Sequence, residues 1–244
     1  MATTVASPSS RKGFPTILKI VLWALLLVLV AGTLAFFLFY STARAALPQL
    51  DGAIRLAGLQ APVSVVRDIH GVPHLTATNL EDLFFAQGYV TAQDRMWQMD
   101  LTRRFVGGEM AEIFPASIGP PQPVGRNTAI PRPRKSWVDY DKQQRLMRLR
   151  AVSERVAQQL PARDRAFFAA YARGVNAYLE QHRDSLPVEF RLLRYKPREW
   201  SVTDSLLIGI GMSQLLNPQY EMEYMRERIG AKLSPELNPP NSTA

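Results

Sequence analysis

An uncharged apolar run from Ile20 to Tyr40 constrains the fold of this chain more than any other feature. It contains 21 residues, which at about 1.5 Å per residue reach across a hydrocarbon core of roughly 30 Å. Trp23 and Tyr40 lie near its ends, where aromatic side chains favour the membrane interface. We therefore expect residues 20–40 to form a transmembrane anchor.

The charges that flank this run predict its orientation. Arg11, Lys12 and Lys19 precede it, and positively charged flanks tend to remain in the cytoplasm. Residues 1–19 are thus expected to be cytoplasmic, with the chain after a single pass facing the periplasm or exterior. A cleaved export signal is the alternative, because Ala43-Arg44-Ala45 weakly resembles a cleavage site. The anchor is favoured because the apolar core of an export signal is only about 7–15 residues long.

The composition of the chain excludes several classes of function. With no cysteine, the chain has no disulfides, thiolate metal sites or cysteine nucleophile. The net charge of +8 is compatible with nucleic-acid binding. However, the arginines are interspersed with acids, and no zinc-finger, RNP or basic-zipper pattern accompanies them. We expect no nucleic acid, and attribute the positive charge to the absence of an acidic partner chain.

A strand, a turn, a second short strand and a long helix are predicted between Ala61 and Glu112. Up to Arg67, a run rich in β-branched residues predicts a strand whose successive side chains point to opposite faces. Asp68-Ile69-His70-Gly71 then supplies turn residues, so we predict a β-hairpin. Asn79 has the position of an N-cap, with Glu81 and Asp82 in the first turn. The helix should begin at about Leu80 and end at Gly107-Gly108.

The predicted buried face of this helix contains polar groups. Steps of four and three residues place one stripe on Leu83, Gln87, Val90, Asp94, Trp97 and Leu101. A buried Asp94 requires a partner, because an unpaired carboxylate costs several kcal/mol. Arg95, Arg103, Arg104 or backbone donors are the expected partners.

Further helices are predicted downstream of a proline-rich loop. Six prolines lie between Pro115 and Pro133 and disfavour regular structure there. Periodic apolar residues predict one amphipathic helix over Lys142–Gln159 and a second helix after Pro161, with a core stripe through Phe168, Tyr171, Val175 and Tyr178. A third helix is predicted to be capped by Ser201 or Thr203 and to reach Leu216, and a fourth covers Gln219–Ile229. The third is apolar on every side, so we expect it to be buried, with close backbone contacts at Gly209 and Gly211.

The residues themselves reveal no recognisable active site. The three histidines are His70, His74 and His182. No serine-containing elbow, metal motif or glycine-rich phosphate loop accompanies them. From the residues alone, the chain is a membrane-tethered α+β domain of unassigned chemistry.

Several short motifs nevertheless carry a family resemblance. In order, they are Val66-Arg67-Asp68, Gly71-Val72-Pro73-His74, Ala86-Gln87-Gly88-Tyr89-Val90, Ala92-Gln93-Asp94-Arg95 with Trp97-Gln98-Met99, Ala111-Glu112, Tyr171–Tyr178 and Lys196–Trp200. In these motifs, from about Ala61 to Gly230, the chain resembles the penicillin amidase (penicillin acylase) family of N-terminal-nucleophile hydrolases.

The resemblance implies an α+β fold and an incomplete enzyme. After the transmembrane helix and a linker at residues 41–60, the region 61–237 corresponds to the mainly helical α chain, with its β-hairpin, of an αββα acylase. Residues 238–244 form a tail without a counterpart. Family members release a second chain whose first residue, Ser, Thr or Cys, is the nucleophile and whose α-amino group is the base. No residue here matches that nucleophile, so no catalytic residue is assigned, and the catalytic β chain is the expected partner.

Site residues follow from the resemblance by an ungapped count from Trp200. Ser213 and Asn217 correspond to the wall of the acyl pocket, where family members often carry larger side chains. Glu223 corresponds to the glutamate that the α chain contributes to a bound structural calcium, and Glu221 is the alternative. A solvated helix face with surface pairs among these charges is the competing interpretation.

The implied function is cleavage of a linear amide bond in an N-acyl compound, such as a β-lactam side chain or an acyl-homoserine lactone. On this interpretation the chain alone is inactive. A non-catalytic, membrane-anchored interaction domain derived from such an acylase is the alternative. Neither the acyl group nor the origin of the chain as fragment, frameshift product or separate subunit follows from the sequence.

Overall fold

The computed structural model describes residues 16–45, 47–115, 117–120, 136–216 and 219–232. In chain order the elements are α1 (Thr16–Ala45), β1 (Ser64–Arg67), β2 (Pro73–Thr76), α2 (Leu80–Gly107), a 3₁₀ turn at Met110–Glu112, α3 (Trp137–Met147), α4 (Leu149–Gln159), α5 (Ala162–Gln181), α6 (Val188–Leu192), α7 (Val202–Leu216) and α8 (Gln219–Gly230). The fold is mainly helical with one small sheet. Residues 1–46 and 47–244 form two separate compact units.

Helix α1 contains the predicted membrane segment. Residues Thr16–Ser41 are long and apolar enough to cross a bilayer, by length and composition, and none of this segment is buried within the protein. The helix extends beyond residues 20–40 at both ends because its flanking residues continue the backbone hydrogen bonding. Of the flanking charges, Arg11 and Lys12 lie outside the described residues.

The predicted hairpin is confirmed. Strands β1 and β2 pair antiparallel, with Val65 opposite Leu75 and Arg67 opposite Pro73. The Gly71 amide donates to the Asp68 carbonyl at 2.9 Å, and the Asp68 carboxylate accepts from the His70 and Val72 amides at 2.8 and 3.0 Å. Gly71 has a φ of 78°, which glycine adopts without steric cost.

The predicted limits of α2 are also confirmed. The Asn79 side chain accepts a hydrogen bond from the Asp82 amide at 2.8 Å, so it caps the helix as expected. The helix ends at Gly107, followed by Gly108 with a left-handed φ of 70°. Arg95 has non-helical angles (φ −143°, ψ 26°), which kink α2 near its middle.

The predicted buried stripe of α2 is wrong at its polar positions, although Val90 is buried and Trp97 packs against the core. The buried apolar stripe is Phe85, Tyr89, Ala92, Met96 and Met99, whereas Gln87 and Asp94 are exposed. This stripe prevails because it faces α5, the main packing partner of α2, and its polar group is paired there: the Tyr89 hydroxyl donates to the Gln181 amide oxygen at 2.7 Å. The polar stripe can therefore remain in solvent.

Two glycines determine how closely α2 and α5 approach. A Cβ atom added to Gly88 would lie 2.1 Å from the Tyr171 carbonyl oxygen, and one added to Gly174 would lie 1.9 Å from the Phe85 carbonyl oxygen. The two backbones are thus in direct contact where the helices cross, an approach that only glycine permits. Val175 and Tyr178 of the predicted α5 stripe are buried beside this contact, and Phe168 and Tyr171 are half-buried.

The single helix predicted over Lys142–Gln159 is wrong. The chain breaks at Arg148, which has a positive φ of 53° and separates α3 from α4. The reason is tertiary: Asp141 of α3 accepts the Met110 and Ala111 amides at 3.0 and 2.8 Å, while α4 packs on α7. We infer that one straight helix could not make both contacts.

The predicted linker of residues 41–60 is too long. Helix α1 continues to Ala45, and residues 47–60 belong to the folded unit. The Gln60 and Ala61 amides both donate to the Asp82 carboxylate at 2.9 Å, and Leu56 packs against the core. These hydrogen bonds hold the pKa of Asp82 below its ordinary value, the Gln60 amide contributing most.

Helix α7 is only partly buried, contrary to the prediction. Ser201 caps it as expected, by accepting the Asp204 amide at 3.2 Å. Leu207 and Gly211 are buried, and a Cβ at Gly211 would lie 2.4 Å from a Val106 methyl carbon. At Gly209, however, an added Cβ would meet nothing within 4 Å, so that predicted close contact is absent.

We predict that Gly174→Ala destabilises the folded unit by about 3 kcal/mol or more, because the new methyl group would collide with a backbone carbonyl that cannot rotate away. Gly209→Ala is the matched control: its methyl group enters open space, and alanine is favoured over glycine in a helix by up to about 1 kcal/mol. Thermal unfolding followed by circular dichroism checks both variants. Equal melting temperatures for the two would contradict the proposed backbone contact.

Candidate functional site

Two completely buried charged side chains form an ion pair within α2. Asp100 and Arg103 are both completely buried, and the Arg103 Nε donates to the Asp100 carboxylate at 2.8 Å. Arg103 also donates to the carbonyls of Arg198 and Glu199, at 2.7 and 3.1 Å. Its guanidinium therefore connects α2 to the loop before α7.

A second set of charges surrounds this pair. Asp204, at the start of α7, lies 3.4 Å from Arg103 and 3.3 Å from Arg150 of α4. Glu109 binds Arg150 and Arg198 at 2.8 and 2.7 Å. Asp204 and Glu109 thus each bind arginines from two different segments of the chain. The network fixes α7 against α2 and α4.

The Asp100 carboxylate is ionised in this network. Burial alone would raise its pKa, but Arg103, Arg104 and the Tyr195 hydroxyl together hold the pKa of Asp100 below its ordinary value of 3.8. Tyr195 donates to it at 2.8 Å, and burial together with the nearby Asp100 charge raises the pKa of Tyr195. These groups are fully paired, so we assign them a structural role.

Asp94 does not have the partner expected from the sequence. Arg67 of β1 binds it through two hydrogen bonds of 2.9 and 2.8 Å, and Arg95, Arg103 and Arg104 do not. The pair is partly exposed, and it joins the hairpin to α2. The arginine is distant in sequence, so helical spacing alone could not identify it.

The three histidines form neither a metal site nor a triad within the described residues. His74 lies 3.2 Å from the Asp68 carboxylate in an exposed pair. His182 contacts the Tyr178 carbonyl at 3.0 Å and stacks on that ring. The side chains of His74 and His182 thus contact residues close to them in sequence.

The residues assigned by resemblance lie on α7, α8 and the connection between them. Ser213 is exposed on α7, and its hydroxyl contacts the Gly209 carbonyl at 3.3 Å. Asn217 lies outside the described residues. Glu223 is exposed on α8, and the side chain of Glu221 is outside the described part of the structure. Within the described residues, Glu223 does not belong to a group of three or more potential metal ligands.

An apolar surface surrounds the end of α7. Met212, Leu215 and Leu216 are 50%, 68% and 74% exposed, and Leu146 at the end of α3 is 81% exposed. Gln214 contacts the Met147 sulfur at 3.0 Å, which brings α3 beside α7. We call the four exposed apolar residues, Leu146, Met212, Leu215 and Leu216, the α7 surface. Clustered exposed apolar side chains are typical of sites that bind another polypeptide.

The fold resembles that of a solved acylase chain. The structure of thermostable penicillin G acylase from Alcaligenes faecalis is similar with a TM-score of 0.51 and 29% identity, over 75% of this chain and 94% of that chain. The chain therefore has a fold similar to that of this acylase chain.

The chain belongs to the penicillin amidase family, whose model matches residues 62–241. The acyl-homoserine lactone acylase QuiP of Pseudomonas fluorescens is 30% identical over 79% of this chain and 22% of the relative. Penicillin acylase 2 proenzyme of Pseudomonas sp. is 34% identical over 68% of this chain and 19% of the relative. Penicillin G acylase of Escherichia coli is 29% identical over 61% of this chain and 16% of the relative. The chain thus spans about a fifth of the length of these relatives. The family resemblance seen in the motifs is confirmed.

We predict an acid-dependent loss of stability that depends on Asp100. Its pKa in the folded state lies below the unfolded value, so its stabilising contribution is complete above about pH 4 and disappears as the pH falls through the folded pKa. Asp100→Asn should cost about 3 kcal/mol or more at neutral pH and flatten the stability curve below pH 4. Denaturant unfolding over a pH series measures both effects.

Asp184→Asn is the matched control, because Asp184 is exposed. It should reproduce the wild-type pH dependence. An unchanged curve for Asp100→Asn would show that other acids account for the pH dependence.

Proposed function

We propose that this chain contributes the α-chain part of an amidohydrolase that cleaves linear amide bonds of N-acyl compounds. Membership of the penicillin amidase family supports the reaction class. The names of the relatives, acyl-homoserine lactone acylase and penicillin acylase, indicate the substrate classes.

The proposed division of labour assigns the chemistry to a second chain. The nucleophile would be the amino-terminal Ser, Thr or Cys of that chain, with its own α-amino group as base. The network of Asp100, Arg103 and Asp204 instead stabilises the position of α7. One relative is named a proenzyme, in keeping with processing into two chains.

The α7 surface is the observation that carries this proposal. Its four large apolar residues are at least half exposed, and Ser213 lies among them on α7. Covering this surface would remove apolar area from water, which stabilises association by about 25 cal/mol for each Å² buried. We propose that the catalytic β chain covers it and places the reacting bond near Ser213.

Ser213 and Asn217 would then form part of the acyl-pocket wall. Both side chains are small, which disfavours tight packing around an aromatic acyl group and leaves space for other acyl groups. The acyl-chain profile of Ser213→Phe in the assembled enzyme tests this role. A profile identical to wild type would assign Ser213 to the surface.

Glu223 would contribute one ligand to a structural calcium. Calcium binds six to eight oxygen atoms, so this exposed carboxylate is at most a partial site and the β chain must supply the remaining ligands. The ion would join the two chains and take no part in the chemistry.

The apolar helix α1 would anchor the enzyme as a single pass in the cytoplasmic membrane, with the folded unit outside. Its length and composition support this proposal. Lys19 is the one charge between Thr16 and Phe39, and it lies on the side that we assign to the cytoplasm.

We predict that the chain alone hydrolyses no amide, and that membranes containing it together with the downstream β-chain sequence do. Release of free amine from acyl-homoserine lactones of several lengths and from phenylacetyl anilide measures the activity. Replacement of the β-chain nucleophile by alanine is the control. Turnover by this chain alone would overturn the division of labour, and no turnover by the assembled protein would favour a non-catalytic interaction domain.

We predict that Glu223→Ala abolishes the stabilisation of the assembled enzyme by calcium. A ligand at about 100 times its dissociation constant stabilises a protein by about 2.7 kcal/mol, so the wild-type melting temperature should rise measurably with added calcium. Glu227→Ala, one turn further along α8, is the matched control and should retain the response. A Glu223→Ala enzyme that still responds to calcium would assign this carboxylate to the solvated helix face, or to a site built around Glu221.

A further inference from the structure

An open depression beside α6 is lined mainly by basic side chains. It has a volume of about 370 Å³. The basic residues that line it are Arg183, Arg191, Arg194 and Lys196, and within the described chain Asp184 is the one acid that does so. We call these four basic residues the basic patch. The patch shares no residue with the α7 surface.

The floor of this depression is aromatic and fixed to the core. Phe190 is buried, and its ring centre lies 5.3 Å from that of Tyr195. The Tyr195 amide donates to the Phe190 carbonyl at 3.1 Å, and the Tyr195 hydroxyl donates to the buried Asp100 carboxylate at 2.8 Å. The floor therefore offers no free polar group to a ligand, so recognition must come from the basic patch.

A tight turn after α6 brings the basic residues together. Arg194 has a φ of 56°, in the left-handed region that favours glycine. Its amide donates to the Arg191 carbonyl at 3.2 Å. Residues on both sides of this turn, Arg191 and Lys196, consequently line the same depression. The clustering of charge thus depends on the turn and not on spacing along one helix.

The protein neutralises only part of the charge of the basic patch. Arg183 pairs with Glu180, and Arg191 donates to a carbonyl of the loop before α6. Arg194 and Lys196 are exposed, and neither side chain has a hydrogen-bond or ion-pair partner among the residues that the structure describes. Clustered cations of this kind match an anion with several acceptor oxygens, such as a phosphate group.

An exposed leucine within the same segment distinguishes between two sources of phosphate. Leu192, the last residue of α6, is 79% exposed and lies between Arg191 and Arg194 in the chain. Segments that bind an anionic bilayer combine such groups, because the apolar side chain enters the interface while the cations bind the head groups. A soluble phosphate would gain nothing from Leu192. The segment therefore favours a lipid surface.

We propose that the basic patch binds the phosphate groups of anionic phospholipids, with Leu192 inserted between the head groups. The folded unit begins at Leu47, directly after the unit that contains α1, so anchoring by α1 would keep a bilayer within reach. The proposal rests on the anchoring role proposed for α1 and is independent of the amidase activity.

Fluorescence quenching of the full chain in lipid nanodiscs tests the proposal. The chain has no cysteine, so Leu192→Cys provides a single attachment site for an apolar fluorophore in place of the leucine. Lipids with a nitroxide on the head group are the quencher. Quenching should be strong in mixed phosphatidylglycerol and phosphatidylcholine, weak in phosphatidylcholine alone, and reduced by salt. Leu146→Cys, at a leucine that is 81% exposed on α3, is the matched control and should not respond to the lipid composition.

Charge variants of the labelled chain make the result specific. Arg194→Gln combined with Lys196→Gln should weaken the lipid-bound state about thirty-fold, because each basic residue near an anionic surface contributes about five-fold. Arg194→Lys combined with Lys196→Arg retains both charges and should retain the quenching. Arg163→Gln combined with Arg165→Gln removes two exposed arginines at the start of α5, outside the patch, and should behave like wild type. Circular dichroism confirms that each variant is folded.

Three outcomes would overturn the proposal for a chain that is retained in the nanodiscs. Equal quenching in both lipid compositions would exclude recognition of anionic head groups. Loss of quenching with inorganic phosphate, but not with sodium chloride at the same ionic strength, would assign the patch to a soluble phosphate. Loss of quenching when the downstream β-chain sequence is present would show that polypeptide covers the patch. A full chain that does not enter nanodiscs would instead refute the anchor, and this proposal with it.

Discussion

The buried guanidinium of Arg103 connects parts of the chain that are almost a hundred residues apart. It binds Asp100 on its own helix, the Arg198 and Glu199 carbonyls in the loop before α7, and Asp204 on α7. Its guanidinium also lies 5.0 Å from the centre of the Trp200 ring. A charge removed from water in this way is tolerated only when its donors are satisfied. The position of α7 therefore depends on this side chain, together with the contacts of Arg150 with Asp204.

The placement of α7 determines which surfaces are available for binding. One side of the helix packs on α2 and α4, where Gly211 admits the Val106 methyl groups. Its other surfaces line a cleft at Ile208 and form the exposed apolar end at Leu215 and Leu216. We propose that a second polypeptide covers the exposed apolar end, which requires that α7 be held rigidly.

The contact between α2 and α5 determines how the core packs. Gly88 and Gly174 allow the two backbones to touch, and Tyr89 and Tyr178 then meet edge to face with ring centres 5.8 Å apart. Tyr178 is completely enclosed at this contact, and its burial raises the pKa of Tyr178 to about 12. The kink at Arg95 falls just beyond the helix crossing.

The sequence by itself determined the features that depend on neighbouring residues. The hairpin at Asp68–Gly71, the cap at Asn79, the end of α2 at Gly108 and the membrane-length helix follow from local backbone preferences and hydrophobic length. The motifs between Val66 and Trp200 also identified the family. Tertiary structure alone decided which face of α2 is buried, that Arg67 binds Asp94, and that the chain turns at Arg148. Those outcomes depend on partners distant in sequence, because packing at the glycine contact and pairing of buried charges outweigh the weak periodicity of any single helix.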